Sequence, residues 1–150
     1  MSGAAAKQRV LTGDTPTGAL HLGHYVGSIE NRLAMQKACD CYFLVANVHA
    51  LTTRADEAAG IRSDTISIVK DWLACGIDPA RSTLFLQSEV PAIAELTWYF
   101  AMLAGYGRLM KNPTIKDEIR VKELGDSYSF GFLMYPVGQI ADILTFRPDF

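Results

Sequence analysis

Residues 41–47, CYFLVAN, form a nearly continuous apolar run of strand length. A strand with one wet face alternates apolar and polar side chains. A continuous run is what a strand covered on both faces carries, as in a parallel sheet sandwiched by helices. The segments on either side of it have helical spacing. A helix is predicted from His21 or Leu22 to about Lys37, with Leu22, Tyr25, Val26, Ile29 and Leu33 on its apolar stripe. Another is predicted over residues 56–75, with Ile61, Ile68, Val69, Trp72 and Leu73 on one side and Gly76 as its stop. Residues 9–12 and 82–87 read as two further strands. Pro91 opens a third helix, striped by Ile93, Leu96, Phe100 and Leu103. Residues 105–126 are rich in charge and are predicted to form a partly exposed loop with helical pieces. A last apolar segment spans 130–146, with helix from about Pro136. Strand and helix in alternation give an α/β class: a Rossmann-like, doubly wound parallel sheet forming part of a nucleotide-binding fold.

Composition narrows the function classes. The 150 residues can bury a substantial core, and 49% of them are apolar. The net charge of −2 supplies no general basic field for gripping nucleic acid, so any such surface must be local or lie on other sequence. The opening MSGAAAKQ lacks the apolar core of a signal peptide, and no apolar run approaches the roughly 18 residues of a membrane helix. Residues 1–8 are expected to be a flexible N-terminus. Cys39, Cys41 and Cys75 are an odd number of cysteines without a secretion signal, which suggests reduced thiols in a cytoplasmic protein. The Cys39-Asp40-Cys41 spacing is not that of a zinc knuckle, so no metal site is expected there.

The chemistry concentrates at residues 12–25, TGDTPTGALHLGHY. In a parallel α/β sheet, ligands bind beyond the carboxyl ends of the strands, and the first turn favours phosphate. This turn carries glycines that let backbone approach a ligand, then delivers His21-Leu22-Gly23-His24 at a helix start. Free N–H groups and the positive end of the helix dipole lie there. The spacing puts His21 and His24 on one face of the first turn, with Gly23 leaving space between them. Such a pair can donate hydrogen bonds to phosphate oxygens as charge builds in phosphoryl transfer. A polar helix start capped by its own histidines is the alternative. A zinc pair lacks a third ligand.

The whole segment resembles the His-X-Gly-His signature of class I aminoacyl-tRNA synthetases, and its Pro-Thr-Gly-X-Leu lead-in resembles the tryptophanyl and tyrosyl subgroup. Residues 41–52 (CYFLVANVHALT), 76–91 (GIDPARSTLFLQSEVP) and 135–142 (YPVGQIAD) are similar to collinear stretches of the tryptophanyl family. That resemblance implies an ATP site at Gly13, Asp14, Thr15, Pro16, Thr17, Gly23 and His24, with His21 completing the signature and Lys116 near the phosphates. His21 and His24 would act in catalysis. It implies a tryptophan pocket formed by Asp142, which would accept the indole N–H, together with Gln139, Tyr135, His49 and Leu11. Indole offers only a donor, so an acceptor-only carboxylate in an apolar pocket suits it, and phenylalanine would leave that carboxylate unpaired. Gln139 departs from the methionine common in bacterial members. Tyr135, Gln139 and Asp142 also resemble a tyrosyl pocket, so tyrosine stays open as the substrate.

The implied reaction is activation of tryptophan by Mg-ATP to tryptophanyl-adenylate and transfer to tRNA(Trp), with no tightly bound cofactor and a homodimeric enzyme. The family's Lys-Met-Ser-Lys-Ser loop matches nothing here. Residues 9–150 are therefore expected to be an incomplete amino-terminal part of the catalytic domain, weakly active or inactive alone. Two further readings compete: a small nucleotidyltransferase sharing the His-X-Gly-His motif, and a tryptophan-binding fragment that catalyses nothing.

Overall fold

The computed structural model describes residues 6–125 and 127–150. The expectation for the first five residues therefore lies outside the described residues; residues 6–8 are exposed and irregular. Three parallel strands, β1 (Arg9–Asp14), β2 (Asp40–Val45) and β3 (Ser82–Leu86), form a sheet in the order β1-β2-β3. Arg9 pairs with Asp40 at one end and Asp14 with Val45 at the other. β1 runs two residues past its predicted end. Gly13 makes this possible, because a Cβ there would sit 2.5 Å from the Leu44 carbonyl oxygen.

Alternation along the strands sends side chains to two covered faces. Val10, Cys41, Phe43 and Val45 pack with Ile29, Ile68, Trp72 and Ile77 in one core cluster. That face is covered by α2 (Glu30–Met35) and α4 (Ala58–Cys75). Tyr42 and Phe85 point the other way, their rings 5.3 and 4.6 Å from Phe146 at the end of α8 (Phe130–Phe146). Helices on both faces make the arrangement α/β, as the unbroken apolar run of β2 requires. At the free edge of β1, Arg9 O accepts N–H groups of Asp149 and Phe150, and Leu11 N–H donates to Phe150 O at 3.1 Å. Bonds flanking one residue in this way are the parallel pattern.

Some boundaries moved. The single helix predicted from residue 21 or 22 is α1 (Leu22–His24), a π-helical turn (Tyr25–Ile29) and α2 in succession. Its stripe is only half buried: Ile29 is inside, whereas Leu22 and Val26 face solvent. A short helix, α3 (Asn47–Ala50), follows β2 where none was predicted. α5 (Pro91–Leu103) begins at its proline as expected. The stretch predicted as loop with helical pieces contains α6 (Tyr106–Leu109) and α7 (Pro113–Val121), the latter capped by Asn112 Oδ1 accepting Thr114 N–H. α8 starts at Phe130, well before Pro136. Ser129 Oγ accepts Phe132 N–H to cap it. Proline costs the helix one backbone bond, but Phe132, Leu133 and Tyr135 on the turns around it bury against Ile115 of α7, and that burial prevails.

Candidate active site

All three strands are parallel, so their carboxyl ends open on one edge. A cavity of about 330 Å³ lies there. It brings together Leu11, Gly13, Asp14 and Thr15 from β1 and its turn, His49 from α3, and Gln139 and Asp142 from α8. These seven belong to the residues predicted for the site. Tyr135 lies elsewhere: it lines a second, mainly apolar cavity of about 520 Å³ between α3, α5 and α8. His49 borders both cavities, its ring 5.1 Å from that of Tyr135 and edge-on to it.

Asp142 is 6% exposed. Both its carboxylate oxygens accept from Gln87 Nε2, at 2.9 and 3.0 Å. Burial pushes its pKa up to about 6, against the opposing pull of the Gln87 hydrogen bond. Burial likewise lowers the His49 pKa, which leaves a neutral imidazole at pH 7. The Tyr135 hydroxyl is pushed up to about 12, first by burial and then by the Glu118 carboxylate near it. Gln139 is exposed at the cavity rim, one helical turn before Asp142.

The two histidines cap the helix start reciprocally. His21 Nδ1 accepts Gly23 N–H at 3.1 Å, and His24 Nδ1 accepts His21 N–H at 3.2 Å. Each ring is thereby held as the tautomer with a bare Nδ1 and a proton on Nε2. The rings lie 4.0 Å apart, and a Cβ on Gly23 would come within 2.9 Å of the His21 ring. Capping and phosphate binding, which compete as readings of the sequence, are therefore compatible: the caps use Nδ1 and leave Nε2–H to donate.

The turn between cavity and histidines is anchored by side chains that sequence reasoning overlooked. Arg54 Nη1 donates to Pro16 O at 2.8 Å and to Asp64 at 2.9 Å, tying the turn to α4. Pro16 is buried and Thr17 exposed; neither lines the cavity. Gly18, at φ 126°, needs the freedom of glycine. The Asp14 side chain is held by Arg32, both nitrogens at 2.9 Å, and by Trp72 Nε1–H at 3.0 Å. Lys116 stands exposed on α7, lining neither cavity. Gln87 was missed as a site residue although its position, first after β3, is where a parallel sheet places ligand contacts. Arg32 left no signal, since a charge on a helix reads as a solvated face. Among the described residues no group of three or more His, Cys, Asp or Glu side chains could hold a metal ion, and no helix is long and apolar enough to cross a membrane.

Comparison with known proteins gives one consistent result. The family described as tRNA synthetases class I (W and Y) matches residues 4–150. The tryptophan–tRNA ligase of Lactococcus lactis is 47% identical over 143 residues, covering 94% of this chain and 42% of the relative. That of Clostridium longisporum is 46% identical over 144 residues, with 95% and 42% covered. A crystal structure of tryptophanyl-tRNA synthetase from Campylobacter jejuni, complexed with ADP and tryptophan, superposes with TM-score 0.82 at 34% identity, over 90% of this chain and 41% of that one. The Mycoplasma pneumoniae enzyme gives 0.88 at 26% identity, over 95% and 42%. The chain thus spans about two fifths of the length of these relatives.

Proposed function

The chain belongs to the class I tRNA synthetases of the tryptophan and tyrosine group, and on that premise we propose that it is the amino-terminal part of the catalytic domain of a tryptophan–tRNA ligase. The observation that carries the substrate reading is Asp142, a buried carboxylate bordering the cavity at the strand ends and gripped by Gln87. A carboxylate accepts and does not donate, which matches the indole N–H. His49, Leu11 and Gln139 line the same space, with Tyr135 behind His49.

In the proposed reaction, a carboxylate oxygen of tryptophan attacks the α-phosphorus of Mg-ATP. A P–O bond forms, the α–β bridge breaks, and pyrophosphate leaves with the electron pair. The 2′- or 3′-hydroxyl of the terminal ribose of tRNA(Trp) then takes the tryptophanyl group and releases AMP. Gly13, Asp14, Thr15, Pro16, Thr17, Gly23 and Lys116 are assigned to ATP. The Nε2–H groups of His21 and His24 are assigned to the phosphate oxygens, where preformed donors stabilise developing charge. Mg²⁺ arrives with ATP, and the site needs no resident cofactor. The reaction belongs to a longer protein, so these residues alone are expected to be weakly active or inactive. We assign that protein to the cytoplasm and to a homodimer; Trp98, Met102 and Leu103 of α5, 65–83% exposed, support a partner face there.

The test is amino-acid-dependent ATP–pyrophosphate exchange by the full-length protein, with tryptophan and tyrosine in parallel. Exchange with tryptophan is expected, reduced roughly ten- to hundred-fold in kcat/KM by Asp142→Asn, the scale of one charge-assisted hydrogen bond. Gln139 beside Asp142 favours a second reading, tyrosine, and faster exchange with tyrosine would establish it.

Protonation gives a separate check. With its pKa raised to about 6, Asp142 loses its charge as pH falls through that value and ceases to be an acceptor-only group. The KM for tryptophan is therefore expected to rise on the acid side of about pH 6 while that for ATP does not follow. A tryptophan KM flat from neutrality to about pH 5 would remove Asp142 from the pocket.

A further inference from the structure

Gln87 is the first residue past β3, and its amide is tied at both ends. Its Oε1 accepts the backbone N–H of His49 at 2.9 Å. A backbone N–H can only donate, so this bond decides which way the amide faces. The Nε2 end must then face α8, where it donates to both Asp142 oxygens at 2.9 and 3.0 Å. Gln87 and Asp142 are 8% and 6% exposed. Three segments remote in sequence, at residues 49, 87 and 142, meet in one short chain of bonds.

We infer that Gln87 is a positioning residue for substrate selection, holding the Asp142 carboxylate as an oriented acceptor and so favouring a side chain that can only donate. The inference rests on the reading of Asp142 as the indole acceptor. An ionised carboxylate has about four lone-pair sites. Gln87 occupies one on each oxygen and leaves the others for a ligand. A buried carboxyl without such a donor would turn about its own bond and take up a proton more readily. Once protonated it donates, and a tyrosine hydroxyl can then pair with it as acceptor as well as donor, whereas indole offers no acceptor. Among the described residues, the side-chain hydrogen bonds to Asp142 both come from Gln87. His49 from α3 is kept neutral by burial. Asp14 from β1 is a like charge already held by Arg32 and Trp72. α5 presents Thr97 and Trp98 to the neighbouring cavity but no charge.

The experiment measures exchange by the full-length protein with tryptophan and with tyrosine, from about pH 5 to about pH 8, a range that spans a raised carboxylate. Gln87→Met keeps the volume and removes the bonds. Its KM for tryptophan should rise roughly ten- to hundred-fold at neutral pH, its KM for ATP should hold, its acid limb should move to higher pH, and tyrosine should gain relative to tryptophan. Gln87→Glu still accepts from His49 N–H but sets a second carboxyl against Asp142, so its limb should move further up. In an Asp142→Asn background neither substitution should add its full effect, because both act through the same group. An unmoved acid limb and an unchanged tryptophan-to-tyrosine ratio in these variants would overturn the inference, as would equal losses for tryptophan and ATP. Absence of tryptophan-dependent exchange in the unmodified protein would instead reject the reading of Asp142, and this inference with it.

Discussion

Replacing Arg32 with methionine is expected to lower folding stability by about 3–5 kcal/mol, the cost of stranding one half of a buried ion pair. Arg32 is 2% exposed. Its two terminal nitrogens grip Asp14, and its guanidinium lies 5.1 Å from the Trp72 ring and 5.6 Å from that of Phe43. Only Nε lacks a partner. Methionine would fill part of the volume, yet leave the Asp14 carboxylate with the Trp72 N–H as its remaining donor. Arg32→Lys should recover little, because a single ammonium cannot reproduce the two-pronged grip or lie flat between two rings. Urea titration of both variants measures the loss, and a shift below about 1 kcal/mol would place the pair in the class of surface bridges. A functional consequence accompanies the loss of stability. Asp14 borders the cavity at the strand ends, so on the proposed assignment of its turn to ATP, freeing its charge should raise the KM for ATP more than that for tryptophan.

On the proposed assignment, alanine at His24 or His21 is expected to slow tryptophan-dependent exchange by the full-length protein about a hundred- to a thousand-fold in kcat, the usual cost of removing one preorganised donor from a developing oxyanion. The geometry complicates a plain alanine scan, because each imidazole also caps the helix and a lost cap costs about 0.5–2 kcal/mol. Asparagine separates the two roles at position 21. Its side-chain oxygen can still accept the Gly23 N–H, whereas it has no group reaching as far as Nε2–H. His21→Asn should therefore unfold at the same urea concentration as the parent and still lose the rate. A His21→Asn enzyme with full exchange would reduce His21 to a cap.

Much of the fold was legible along the chain. The unbroken run of β2 implied two covered faces, and the structure has helices on both. Pro91, Gly76 and the three strands lie within a residue or two of their predicted places. The exceptions share a cause. Pro136 marks a helix start by local rules, but the side chains of the whole 17-residue helix are judged together once Phe132 and Tyr135 find Ile115. Likewise Leu22 and Val26 keep helical spacing with nothing here to pack against, since periodicity reports a face and not its partner.

The candidate site divides in the same way. Residue types and spacings in the sequence determined the chemistry available: a glycine-bearing turn after β1 suited to phosphate, paired histidines at a helix start, and a carboxylate more than three turns into an apolar segment. They determined these because such features are local, built from backbone geometry over a few residues. What only the tertiary structure decided was which groups complete each other. Gln87 holds Asp142 from 55 residues away, Arg32 and Trp72 hold Asp14, and Tyr135 turns to the neighbouring cavity while Asp142, on the same helix, borders the first. A hydrogen bond needs its partners within about 3 Å at a suitable angle. Across distant segments that condition is met by the packing of strands and helices, which no local pattern encodes.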